Sequence, residues 1–262
     1  HYKQALCTYQ RLFDLEARQI VCDLHPDYTT TRFAKSLSLP LIQVQHHHAH
    51  MASCMMENNL DELCFGILFD GTGFGSDHTI WGSEFLIGDY TNFKRVGSIK
   101  QIPLLGGDKA IHEIGRIALA LTVESDCEIP IFEDNKQNIL KQMLSKSIQT
   151  SGMGRLFDGF YALITHTKAQ DYDGQAPVLL ESMAATTTEW YPLCFYEENN
   201  IRFFDWSEMI HYAVTETKAP EIQAAKMMNT IIEMTIDQTL HLNPKHLPIV
   251  LSGGCFQNQY LL

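Results

Sequence analysis

Val44-Gln45-His46-His47-His48-Ala49-His50 follows the apolar run Leu39-Pro40-Leu41-Ile42 and precedes Met51-Ala52-Ser53-Cys54-Met55-Met56. The run before the histidines reads as a short buried strand and the run after them as a helix. His46 and His50 then stand about one helical turn apart and point the same way. Two imidazoles so placed can grip one metal ion. Neutral imidazole suits zinc, iron or nickel equally, so the spacing leaves the ion open. Taken alone, the cluster also reads as histidines satisfied by ordinary hydrogen bonds. A third ligand from elsewhere in the fold separates the two readings. An expression tag is excluded, because the cluster is internal and flanked by apolar runs.

The 262 residues are 45% hydrophobic and 10% aromatic, enough for one large domain or two lobes. A net charge of -12 repels phosphate backbones and anionic headgroups, which argues against general nucleic-acid or membrane-surface binding. A small anion held by backbone amides is still compatible with it. Cys7, Cys22, Cys54, Cys64, Cys127, Cys194 and Cys255 are scattered, odd in number and never spaced C-x-x-C, the pattern of free thiols in a reducing cytosol. No apolar run approaches a membrane span. The chain opens on His1-Tyr2-Lys3-Gln4 without an initiator Met, which reads as a fragment.

Upstream of the histidines, residues 3 to 18 show helical spacing, residues 19 to 24 a short buried strand, and Thr29 to Thr31 caps for a helix through Leu37. That α/β alternation favours a mostly parallel sheet in the first lobe. From Leu63 the pattern becomes strand, glycine-rich turn (Asp70-Gly71-Thr72-Gly73-Phe74-Gly75-Ser76-Asp77), strand. Such a turn can wrap N–H groups around a phosphate, and it can equally be a plain hairpin. Ile102 to Asp108 reads as a turn whose Asp108 caps a helix from Lys109 to Leu121. Two loops, Ser151 to Asp158 and Tyr172 to Pro177, each feed a helix. Residues 193–196 and 201–204 read as edge strands, and Glu221 to Leu240 as the best helix, with Ile222, Ala225, Met228, Ile232, Ile236 and Leu240 as its stripe. The strand Ile249-Val250-Leu251 ends in Ser252-Gly253-Gly254 before another helix. That geometry brings a nucleotide to a helix N-terminus, and it is also the geometry of a tight turn.

Three motifs in one order carry more weight. Val-Gln-His-His-His-Ala-His (44 to 50), Phe-Asp-Gly-Thr-Gly-Phe-Gly-Ser-Asp with Thr-Ile-Trp-Gly-Ser-Glu-Phe (69 to 85), and Leu-Ser-Gly-Gly-Cys-Phe-Gln-Asn (251 to 258) resemble the C-terminal region of the HypF family, hydrogenase-maturation carbamoyltransferases. Cys22 to Tyr28, Pro103 to Asp108, Gly152 to Asp158 and Tyr172 to Ala176 fit it too, so the resemblance covers almost the whole chain. More distantly it extends to the nodulation and antibiotic O-carbamoyltransferases and the tRNA threonylcarbamoyl-transfer subunit. It implies an α/β fold of the two-lobed actin-like, Hsp70-like sugar-kinase architecture, with ribonuclease H-like lobes truncated at both ends. The first lobe would be 1–62 and the second 63–262, with a helical insertion around 109–220.

The resemblance further implies that carbamoyl-adenylate, made from ATP in missing N-terminal domains, is accepted here, and its carbamoyl group passed to the C-terminal cysteine thiol of a HypE partner in the cytoplasm. Dehydration of that product supplies cyanide for a nickel–iron centre. His46, His50 and Asp70 would hold iron or zinc. Gly71, Thr72 and Gly73 would meet the phosphate, Asp158 the ribose, and Gly174 the sugar or base, while Gly253, Gly254 and Asn258 would close on the adenosine. No general base is evident, and Lys109 and Arg155 are the candidates for stabilising charge. A further aspartate ligand would lie downstream of Leu262. The alternative is an O-carbamoyltransferase acting on a small hydroxylated metabolite.

Overall fold

The structure, a computed structural model, describes residues 1–262, which divide into two compact units, His1–His46 and His47–Leu262. In the first, helix α1 (Tyr2–Leu12) leads to strand β1 (Ile20–Asp23), helix α2 (Thr29–Lys35) and strand β2 (Leu41–Val44). β1 and β2 pair in parallel, Ile20 opposite Leu41 and Asp23 opposite Val44, as the α/β alternation predicts. α1 stops well short of residue 18: Asp14 takes a left-handed φ of 50°, which turns the chain out of the helix. Thr29 to Thr31 lie inside α2 and do not cap it; the Thr31 hydroxyl donates back to the carbonyl of Asp23, tying helix to strand.

Helix α3 (His46–Glu57) opens with the last residue of the first unit and otherwise belongs to the second. Met51 and Met55 of α3 bury against Cys64, Leu68, Trp81, Leu86 and Val250. The second unit continues through β3 (Cys64–Phe74), β4 (Ile80–Gly88), β5 (Phe93–Ile99), β6 (Ile102–Leu104), α4 (Lys109–His112), α5 (Gly115–Val123), α6 (Asp134–Met143) and β7 (Ile148–Thr150). It ends with α7 (Met153–Thr165), α8 (Gln175–Met183), β8 (Cys194–Glu198), β9 (Ile201–Asp205), α9 (Ser207–Thr215), α10 (Pro220–Leu242), β10 (Ile249–Ser252) and, where a helix is expected after the Ser-Gly-Gly corner, a single 3-10 turn over Gly254–Gln257.

The main path of its sheet is β10-β3-β4-β5-β9-β8; β7 joins β4 and β6 beside it. β10 pairs with β3 in parallel, and β3, β4 and β5 are antiparallel neighbours. β3 is apolar on both sides because it is covered on both: α3 takes one face, while Phe65, Ile67 and Phe69 join the core with side chains of α5, α7 and α10 on the other.

Several elements differ from the sequence expectation. Asp70 to Phe74 are not a turn but the end of β3: the ladder slips after Phe69 and resumes with Gly73 opposite Trp81, leaving Asp70, Gly71 and Thr72 in a bulge. Ile102 to Leu104 form a strand. The helix predicted over 109–121 is two helices, broken where Glu113 turns to meet Arg116 and Lys136 and Gly115 donates to the carbonyl of Lys168; Asp108 makes no side-chain cap. On α10 Ala225 and Met228 of the expected stripe are buried, with Ala224, Met227, Ile231 and Met234 beside them, while Ile236 and Leu240 are exposed. β8 and β9 are the predicted pair, but β9 is interior, since it also pairs with β5.

Candidate functional site

His46 and His50, one turn apart on α3, and Asp70, in the bulge of β3, each bring a donor atom to one point, all within 4.8 Å of one another. Nε2 of His50 is 3.3 Å from Oδ2 of Asp70. The second ring nitrogens are engaged elsewhere. Nδ1 of His46 is 2.8 Å from Oδ2 of Asp23, and Nδ1 of His50 is 3.4 Å from the Ser252 hydroxyl. A carboxylate on Nδ1 favours the tautomer with its proton there, which leaves Nε2 as the lone-pair donor. Two imidazoles and one carboxylate suit zinc or iron, and three ligands leave coordination positions open. The donor set therefore fits a divalent ion.

Asp70 also belongs to a cavity of about 450 Å³ in the second unit, walled by Gly71, Gly154, Arg155, Phe157, Asp173, Gly174, Glu181, Gly254, Cys255 and Asn258 among others. Of the residues singled out in the sequence, the structure brings Asp70, Gly71, Arg155, Gly174, Gly254 and Asn258 to this wall. Thr72 lies farther along the bulge, Gly73 pairs with Trp81 where the ladder resumes, Lys109 sits exposed on α4, and none of the three lines the cavity. Gly253 lies just behind it. Its φ of 104° and the 2.3 Å that would separate a Cβ from the carbonyl oxygen of Phe69 admit only glycine, and this lets the Ser-Gly-Gly corner press on the end of β3.

Asp158 is fully buried in α7, behind the cavity wall, where its carboxylate lies 3.2 Å from Nη2 of Arg155. The same nitrogen donates to Asp173 at 2.7 Å, so the guanidinium is shared between a buried acid and one at the cavity. Burial pushes Asp158 up to about 7, outweighing the Arg155 charge. Nε and Nη1 of Arg155 are buried without a hydrogen-bond partner. Burial, with Asp70 nearby, pushes the Cys255 thiol up to about 12, so it stays protonated at neutral pH.

Asp23, Asp173, Glu181, Cys255 and Ser252 have no role assigned by motif. Asp23 stands at the end of β1 within the quoted stretch Cys22 to Tyr28. Asp173, Cys255 and Ser252 stand inside quoted motifs, where spacing alone does not say which side chain turns inward, and Glu181 lies outside them.

Residues 66–262 match the family described as "Carbamoyltransferase, Kae1-like Domain, second subdomain", and residues 1–57 match the "HypF Kae1-like domain". The chain belongs to the HypF carbamoyltransferase family. It is 33% identical over 290 aligned positions to carbamoyltransferase HypF of Synechocystis sp., covering 100% of this chain and 38% of that protein. It is 40% identical over 200 positions to carbamoyltransferase HypF of Rhodobacter capsulatus, covering 71% of this chain and 27% of the relative. The crystal structure of full-length HypF in the phosphate- and nucleotide-bound form superposes with a TM-score of 0.92 at 34% identity, over 99% of this chain and 43% of that one. T. kodakarensis HypF, at 23% identity, shares the fold with a TM-score of 0.81 over 99% of this chain and 37% of that one. The chain thus spans less than half the length of these relatives. No helix is long and apolar enough to cross a membrane.

Proposed function

We propose that this chain is the carbamoyl-transfer domain of a larger HypF-type protein, taking carbamoyl-adenylate made in other domains of the same polypeptide and passing the carbamoyl group to the C-terminal cysteine of a HypE-type acceptor. The observation that carries this reading is the position of Asp70, which is at once a member of the donor triad and a wall of the cavity. A nucleotide in that cavity would place its reactive end beside the triad. The nucleotide-bound relative and the cavity's glycine-lined wall support an adenylate there.

His46, His50 and Asp70 would hold iron or zinc. The ion, when bound, would supply Lewis-acid polarisation of a phosphoryl or carbamoyl oxygen. The chain's own residues do the rest. Arg155, at the cavity wall, offers its positive charge to the anionic phosphate. Gly71 and Gly254 allow its close approach, while Gly174 and Asn258 border the nucleoside. The acceptor thiol ionises to solvent, its sulfur attacks the carbamoyl carbon, and the bond from that carbon to the phosphate oxygen breaks. AMP leaves with the electron pair. A thiolate is already a strong nucleophile, so positioning and an electrophile suffice without a general base. The same reading has the ribonuclease H-like, two-lobed architecture with lobes at 1–62 and 63–262, and a cytoplasmic setting supported by seven free cysteines.

The test uses the full-length parent with ATP, carbamoyl phosphate and either a cysteine-terminated acceptor or a hydroxylated metabolite. Transfer to the thiol, abolished by His46→Ala with His50→Ala, is the expected result. Full transfer by that double variant removes the metal role, and transfer only to the hydroxyl makes the chain an O-carbamoyltransferase.

A further inference from the structure

Glu84 belongs neither to the cavity nor to the donor triad, yet it is a fully buried carboxylate in the middle of β4. Its Oε1 accepts from the backbone N–H of Gly82 (3.0 Å) and Ser83 (3.2 Å), the Ser151 hydroxyl (2.6 Å) and the Ser98 hydroxyl (3.4 Å). Its Oε2 accepts from Nε of Arg95 at 2.5 Å. Arg95 is itself fixed, with its guanidinium carbon 4.2 Å from the centre of a Trp81 ring. Only an ionised carboxylate, which accepts and never donates, satisfies five donors at once. A buried charge with so many partners marks a place where backbone position matters.

Two of those partners frame the Asp70 corner. Ser151 immediately precedes Gly152, the N-cap of α7. A Cβ on Gly152 would lie 2.4 Å from the carbonyl oxygen of Gly71. A Cβ on Gly82 would lie 2.6 Å from the carbonyl oxygen of Asp70 and 2.6 Å from Cα of Gly152. The bulge that carries Asp70 and Gly71 is therefore pressed against two glycines that also touch each other, Gly82, whose N–H Glu84 accepts, and Gly152, which follows Ser151.

We propose that Glu84 is a positioning residue for the Asp70 corner: through Gly82 and Ser151 it fixes the glycine cradle that sets where the Asp70 carboxylate stands relative to His50. The cradle itself is independent of any bound ion. Its consequence for metal binding rests on the proposed ligand role of His46, His50 and Asp70.

The test compares full-length Glu84→Gln and Ser151→Ala, the latter cutting one link without disturbing the buried charge, with Ile210→Val, a core change in α9 that makes no hydrogen bond to the Glu84 network. Zinc titration is expected to show roughly 10-fold or greater weakening in both cradle variants, the scale seen when a metal ligand loses its support. Ile210→Val, carrying a comparable fall in melting temperature, is expected to bind zinc like the parent. Zinc affinity in Ser151→Ala no weaker than in Ile210→Val overturns the proposal. If the parent takes up no zinc, the metal reading fails, and the crystal structure of Ser151→Ala decides the cradle: Asp70 displaced from His50 upholds it, and Asp70 unmoved overturns it. The same structure decides should Glu84→Gln fail to fold.

Discussion

Oδ2 of Asp23 lies 2.8 Å from Nδ1 of His46, so an acid at the end of β1 holds the first ring of the histidine cluster. The two residues are 23 positions apart, joined by α2 and β2. Parallel pairing puts Asp23 opposite Val44, two residues before His46, and so delivers the carboxylate to the start of α3.

From that contact, Asp23→Asn is expected to lower metal affinity by roughly 10–100-fold while leaving the fold intact, because the amide no longer pins the Nδ1–H tautomer or raises the basicity of Nε2. Metal-competition titration reads the affinity, and transfer activity should return at saturating metal. Unchanged affinity would mean that the contact orients nothing.

Gly253→Ala is expected to destabilise the protein by about 1–3 kcal/mol or more, from left-handed strain plus the clash with the Phe69 carbonyl. Urea unfolding gives the stability. Nucleotide affinity should fall with it, because the chain must back away from β3 to admit a methyl group.

Asp158 makes stability depend on pH. Its folded value of about 7 lies above the ordinary carboxyl value of 3.8, so the folded state binds the proton more tightly. The associated stability is complete below about pH 4 and is lost as pH rises through 7, a loss of at most about 4 kcal/mol. Asp158→Asn, which cannot ionise, is expected to unfold with less pH dependence between 5 and 8 than the parent. Equal slopes would show that Asp158 is already ionised across that range.

Cys255 offers a thiol beside Asp70, but one held protonated at neutral pH is a poor relay for the carbamoyl group. Cys255→Ala is therefore expected to keep transfer near the parent rate in a single-turnover assay. Loss of transfer, with a carbamoylated Cys255 trapped in the parent, would make this thiol a covalent way station.

The position of the strand before the histidines, the helix they open, the parallel first sheet and the Ser-Gly-Gly corner were legible from residue order, because each rests on local periodicity or on a turn that only glycine makes; the burial expected of that strand is not met, since Ile42 is exposed. The Asp70 bulge was not, since a strand that slips its register and a glycine-rich turn share one composition; pairing of Gly73 with Trp81 distinguishes them. Asp158 shows the same limit from the other side. Its motif put it near a ligand, and α7 turned it inward beneath Arg155, leaving Asp173 at the cavity.

Residue order alone therefore settled the family and the His46–His50 pair, since two residues four apart on one helix meet by the pitch of the helix and need no other part of the chain. Folding brought Asp70, which the family resemblance had already named, to the pair, and decided which acid supports them and which glycines hold the corner in place. Those partners come from β1, β3, β4 and the start of α7, and only sheet pairing and burial bring side chains so distant along the chain within bonding reach.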